Sequence, residues 1–190
     1  SYLCCLPNFV VMAPSSGEEL KNMINLALSI NNKPSAIRYP RDLAHEYKNN
    51  DKFQKIIIGK GKIIKNGKKV AFLNLGTRLK KVLEISELIK KNYQLDCSII
   101  DMRFAKPIDV KLIQKLKKNH NIFVTIEENA IGGFSSQVND FLINKISNTP
   151  KILNFFMKDE FIDQSDIDDQ YSKSGISPKI IYEKLIKFLK

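Results

Sequence analysis

Short apolar runs alternate with longer segments whose apolar residues recur every three or four positions, and the alternation persists from Phe9 to Leu189. An apolar run closed by proline or glycine suits a buried strand, and a 3.6-residue period suits a helix laying one face on a sheet. Phe9-Val10-Val11-Met12-Ala13 ends at Pro14 and reads as the first strand. Ser15 or Ser16 then caps a helix, with Glu18 or Glu19 near its third position and Leu20, Met23, Ile24, Ala27 and Leu28 on one face. Asn31-Asn32-Lys33-Pro34 stops that helix, and Ser35 to Tyr39 forms the next strand. Later strands are expected at Val70 to Leu75, Cys97 to Met102, Ile122 to Ile126 and Ile152 to Phe156. Helices carrying Leu79 to Ile89, opening at Pro107-Ile108-Asp109, and opening at Gly132-Gly133 fall between them. A last helix opens at Ser177-Pro178, where proline costs no helical hydrogen bond. Strands alternating with helices imply right-handed crossovers, an α/β fold and a mostly parallel sheet with helices on both faces.

The alternation breaks once. Arg41 to Lys55 is polar and without period, and reads as a linker between two units. The second unit starts at Ile56 with an extended segment that runs to a turn at Asn66-Gly67.

Composition removes several functional classes. No apolar run approaches the roughly 20 residues that span a bilayer, so no membrane partner is expected. The 31 basic against 20 acidic residues give a net charge of +11. The lysines are spread over surface helices and loops, and only four of the basic residues are arginines. That pattern reads as the drift of an AT-rich coding sequence, and no nucleic-acid partner is expected. Three cysteines, Cys4, Cys5 and Cys97, make no metal-ligand spacing and no disulfide framework. His45 and His120 lack a partner motif and read as surface or loop residues.

Three strand ends carry charge that could do chemistry. Arg38-Tyr39-Pro40-Arg41 sets two guanidinium forks around a rigid proline where open α/β sheets bind ligands. Either arginine could meet a phosphate or carboxylate, or one could bridge two units. Glu127-Glu128-Asn129 followed by Gly132-Gly133 could supply acid–base carboxylates or an anion cradle. Alternatively the glycines allow close packing while the acids cap or bridge elements. Asp101 and Arg103 could pair with each other, or Arg103 could reach the other unit. Phe155, Phe156 and Phe161 read as core.

These segments also carry a likeness. Pro7 to Ser15, Ser35 to Arg41, Asp101 to Asp109, Thr125 to Asn129 with Ile131 to Phe134, and Phe161 to Gln164 together resemble the 1-deoxy-D-xylulose 5-phosphate synthases. These are transketolase-like thiamine diphosphate enzymes. The resemblance implies three α/β domains: one for the diphosphate and magnesium, one for the aminopyrimidine ring, and a transketolase C-terminal domain. In those terms residues 1–41 are the second half of a parallel-sheet pyrimidine-binding domain, 42–55 the linker and 56–190 the transketolase C-terminal domain. The chain then reads as a piece of a longer protein, inactive alone. The diphosphate domain, the glutamate that activates the aminopyrimidine and the active-site histidine would lie outside it.

The implied activity is a thiamine diphosphate-dependent condensation of pyruvate with glyceraldehyde 3-phosphate, with loss of carbon dioxide. Its product feeds isoprenoid, thiamine and pyridoxal synthesis. The resemblance further implies a homodimer and a place in a bacterial cytoplasm, or alternatively a plastid or apicoplast. Thiamine diphosphate and magnesium would be bound mainly by regions outside this chain. Arg41 matches the family arginine that binds the aldehyde's phosphate, while Arg38 matches a structural or domain-contact position. No catalytic, cofactor-binding or metal-binding residue carries over. Asp42 departs from the family's usual glycine and sets a carboxylate beside Arg41. Rival readings are another enzyme of the superfamily, a transketolase or the beta chain of a 2-oxoacid dehydrogenase, and a non-catalytic dimerisation or interaction module.

Overall fold

The computed structural model describes residues 1–41 and 53–189. Most of the expected linker, Asp42 and His45 lie outside the described residues.

Two sheets organise these residues. The smaller has three strands in the order β2-β1-β6, built from β1 (Val10–Met12), β2 (Ser35–Ile37) and β6 (Phe104–Lys106). Helix α1 (Gly17–Ser29) connects β1 to its parallel neighbour β2. Ser16 caps α1, its hydroxyl accepting from the Glu19 amide at 3.2 Å. The larger sheet has five strands in the order β3-β5-β4-β7-β8. It comprises β3 (Lys62–Lys65), β4 (Lys69–Asn74), β5 (Ser98–Asp101), β7 (His120–Ile126) and β8 (Lys151–Phe155). The four strands β5, β4, β7 and β8 are parallel, and β3 runs antiparallel along the β5 edge.

The strands of the larger sheet are apolar on both sides because both sides are covered. Along β4, Ala71 and Leu73 pack with Ile113 of α3 (Val110–Lys117) and with Phe134, Val138 and Leu142 of α4 (Phe134–Lys145). Their neighbours Val70 and Phe72 point the other way. They pack with Val82, Ile85 and Ile89 of α2 (Leu79–Tyr93) and with Ile181 and Leu185 of α6 (Pro178–Leu189). The two-residue alternation of the strand thus feeds two helical layers. Short α5 (Ile167–Lys173) precedes α6. The expected mostly parallel sheet with helices on both faces is present, with the antiparallel strands β3 and β6 added.

Strand β6 was not expected. It leaves the end of β5, yet it pairs antiparallel with β1, so the smaller sheet is completed by chain from the second unit. Ile56 joins the same small core, packing with Val10, Met12, Met23 and Phe104. Lys106 adds a tie, donating to the carbonyls of Cys4 and Leu6 at 3.0 and 2.7 Å.

Two readings of single residues are corrected. His120 is a buried strand residue, its ring bonded to the Leu116 carbonyl at 2.6 Å and to Ser98 Oγ at 2.9 Å. It opens β7 rather than sitting in a loop. Phe161, expected in the core, is fully exposed in the polar turn after β8, while Phe155 is buried and Phe156 half-buried. Cys4 and Cys97 are buried free thiols, and burial pushes Cys97 up to about 12, so neither is a poised nucleophile.

Candidate functional site

In a parallel sheet the crevice for ligands opens at the carboxyl ends of two strands whose connections leave in opposite directions. Here that point lies between β4 and β7. The chain from β4 returns at β5 on one side, and the chain from β7 returns at β8 on the other. The polar residues gathered there are Thr77 and Arg78 after β4, Glu127 and Glu128 after β7, and Arg38 from beyond β2.

Glu128 is the hub. Its carboxylate side chain is 2% exposed and accepts three hydrogen bonds from three parts of the chain. Arg38 Nη1 donates to Oε2 at 2.6 Å, Thr77 Oγ1 to Oε1 at 2.7 Å and Tyr171 Oη to Oε1 at 2.6 Å. Arg38 Nη2 also donates to the Glu128 carbonyl at 2.8 Å. Burial, and then the bond to Glu128, push the Tyr171 phenol up to about 12, which keeps it a proton donor at physiological pH. Arg78 stacks on the Tyr171 ring, 3.7 Å from its centroid. Arg78 is buried, and its Nε and Nη2 make no hydrogen bond among the described residues. Gly76, at φ +87, turns the chain between β4 and α2 beside Ala13 and the Arg38 guanidinium.

Glu127 serves a different purpose. Its carboxylate accepts from the Phe134 amide at 2.9 Å, and from the Ser135 amide and hydroxyl at 2.7 Å each. It therefore caps α4, whose own N-cap residue, Gly133, has no side chain to offer. A Cβ on Gly133 would collide with that carboxylate, so the glycine provides close approach rather than an anion cradle. With both carboxylates engaged, the acid–base reading of the Glu127-Glu128 pair has no geometric support.

At the end of β5 the charges also resolve. Arg103 sends only its backbone amide to Asp101, at 3.1 Å. Its guanidinium grips Glu19 of α1 in a two-pronged contact at 2.9 and 2.6 Å, so it reaches the other sheet's helix. Asp101 receives the Ser15 hydroxyl at 2.5 Å. Burial pushes Asp101 up to about 6, against the lowering effect of the Ser15 bond.

Arg41 stands apart from this network. It lies in a bend three residues beyond Arg38, is exposed, and makes no hydrogen bond or ion pair among the described residues. Sequence reasoning found Arg38, Glu128 and Arg41 but missed Thr77, Arg78 and Tyr171. Gly76-Thr77 directly before a helix was the available signal for the first two; nothing local marks Tyr171. Among the described residues no group of three or more His, Cys, Asp or Glu side chains converges as metal ligands. Among the described residues the buried carboxylates Glu19, Asp101, Asp109, Glu127 and Glu128 all have hydrogen-bonding or ion-pair partners.

The chain is thus an α/β domain of mostly parallel sheet whose switch point is closed by an arginine–glutamate contact, and the comparisons give its family. The family model described as "Transketolase, C-terminal domain" matches residues 59–181, and the chain belongs to that family. Over its whole length the chain is 37% identical to the 1-deoxy-D-xylulose-5-phosphate synthase of Blochmanniella floridana, spanning 31% of that protein. It is likewise 37% identical, over its whole length, to the synthase of Shewanella denitrificans, spanning 29% of it. The chain thus covers about a third of the curated relatives it matches. Among solved structures, "Split gene transketolase, inactive beta4 tetramer" superposes with a TM-score of 0.87 at 25% identity, over 97% of this chain and 59% of that one.

Proposed function

We propose that this chain works as part of a 1-deoxy-D-xylulose 5-phosphate synthase, in which Arg41 binds the phosphate of glyceraldehyde 3-phosphate. The observation that carries the reading is the 37% identity over the entire chain to two proteins of that name, not over one motif. The complete enzyme joins pyruvate to the aldehyde with loss of carbon dioxide, as a magnesium-dependent homodimer in a bacterial cytoplasm. Residues 1–41 belong to the pyrimidine-binding domain and 56–190 to the transketolase C-terminal domain, joined by 42–55. Thiamine diphosphate, when bound, supplies the electron sink for decarboxylation. This chain's share is binding and orientation. An exposed guanidinium without a partner among the described residues suits a phosphate that arrives and leaves with each turnover, because its fork matches two phosphate oxygens. Arg38 suits it less, since both of its terminal nitrogens are committed to Glu128.

The likeness to a split-gene transketolase favours one rival, in which the chain serves transfer between sugar phosphates. Assay of the intact gene product separates the two. The synthase reading expects carbon dioxide release from pyruvate that depends on glyceraldehyde 3-phosphate. Turnover with a ketose phosphate donor, and none with pyruvate, would replace it with the transketolase reading.

A further inference from the structure

We propose that Glu128 is a positioning residue for the aldehyde-phosphate site: by anchoring Arg38 it fixes the short turn from which Arg41 meets the phosphate. The inference rests on the reading of Arg41 given above.

The geometry supplies three links. First, Arg38 is pinned at both ends. Its backbone amide donates to the Met12 carbonyl at 2.8 Å, and its guanidinium is held by the Glu128 carboxylate and carbonyl. Second, only Tyr39 and Pro40 separate Arg38 from Arg41. An extended chain advances about 3.5 Å per residue, so the Arg41 Cα stays within roughly 11 Å of the Arg38 Cα. Proline fixes one of the few backbone angles between them. Third, Glu128 is itself over-determined. Thr77 from the turn before α2 and Tyr171 from α5 hold Oε1, leaving Oε2 aimed at Arg38. Neutral donors orient the carboxylate, and among the described residues Arg38 is the cation in direct contact with it. The Arg38 side chain is about half exposed, so the contact is worth more as geometry than as net attraction. It also neutralises Arg38, whereas Arg41, the other cation of the turn, has no partner among the described residues.

The test is steady-state kinetics on the intact enzyme with varied glyceraldehyde 3-phosphate and varied pyruvate. Glu128→Gln keeps the side-chain shape and removes the charge that draws Arg38. It should raise KM for glyceraldehyde 3-phosphate about tenfold and leave kcat and the pyruvate KM within about twofold. The inhibition constant of inorganic phosphate against the aldehyde should rise in parallel. Tyr171→Phe and Thr77→Val each remove one donor without touching Arg38, so each should give a smaller shift of the same kind. They also provide milder variants should Glu128→Gln fold poorly. Equal loss toward both substrates, or a fall in kcat with the aldehyde KM unchanged, would overturn the proposal and leave Glu128 a part of the fold only. Arg41→Ala run alongside separates the two claims. If it is selective for the aldehyde while the Glu128 series is not, the positioning role fails and the phosphate reading survives. If Arg41→Ala is itself unselective, the phosphate reading fails and the positioning role falls with it.

Discussion

A carboxylate taken out of water resists ionisation, and Asp101 carries that cost at the junction of the two sheets. Its pKa near 6 stands above the 3.8 of an ordinary aspartate. A raised folded pKa adds stability that is complete below about pH 3.8 and is lost as the pH climbs through about 6. The Asp101→Asn variant should therefore lose stability less steeply than the parent between pH 4 and pH 7. The difference should be about 2–3 kcal/mol across that window, read by urea unfolding at both ends. Identical slopes for the two proteins would contradict this origin. Glu127 offers a second check at the same scale. Glu127→Ala frees two buried amides at the start of α4 and a hydroxyl, and should cost about 2–4 kcal/mol in unfolding free energy. A loss under about 0.5 kcal/mol would mean water caps the helix equally well. Of these residues, the sequence displayed the types and the neighbourhood but not the pairing. Glu127 and Glu128 are adjacent in a strand exit and so face different ways, one to its own helix and one to the other sheet. Nothing in a linear pattern says which acid does which.

Elements with a strong period were legible, and short ones were not. Helix α1 announces itself through its cap and spaced apolar residues, α2 through spaced apolar residues alone, and the strands of the larger sheet through runs of valine, isoleucine and phenylalanine. Strand β6 has three residues, Phe104-Ala105-Lys106, and no alternation to reveal it. It is a strand only because β1 offers an unpaired edge, which is a tertiary fact. Phe161 was misjudged for the converse reason: aromatic character predicts burial on average, but a residue in a polar turn has no layer to enter. The element-scale contact that makes β6 matter is Arg103 with Glu19, whose side chains are 11% and 7% exposed. Arg103→Ala should destabilise the chain by about 2–4 kcal/mol, because it leaves the buried Glu19 carboxylate with only the longer Lys62 contact at 3.9 Å. The double variant Arg103→Leu with Glu19→Leu should recover much of that loss. A double variant no better than the single would show that the pair contributes net attraction rather than mutual neutralisation.

At the scale of the whole molecule, two sheets share one chain in an interleaved way. Residues 1–41 supply β1 and β2, the second unit supplies β6, and Ser15–Asp101, Arg103–Glu19 and Arg38–Glu128 all cross between them. Parts joined this closely should unfold together. Unfolding should be a single transition, with limited proteolysis and circular dichroism giving the same midpoint. Early cleavage within residues 1–41 while the larger sheet stays folded would show two independent units. The fold class could be read from strand–helix alternation alone, whereas the joint could not, because its members lie 80 to 90 residues apart in sequence. The same joint leaves Arg41 exposed at its margin, and on that placement the functional account depends. Its most direct test is Arg41→Ala in the intact enzyme, measured as the apparent affinity for each substrate in turn. The account predicts a loss of at least tenfold for glyceraldehyde 3-phosphate with pyruvate nearly unaffected. Comparable losses for both substrates, or none for either, would contradict it.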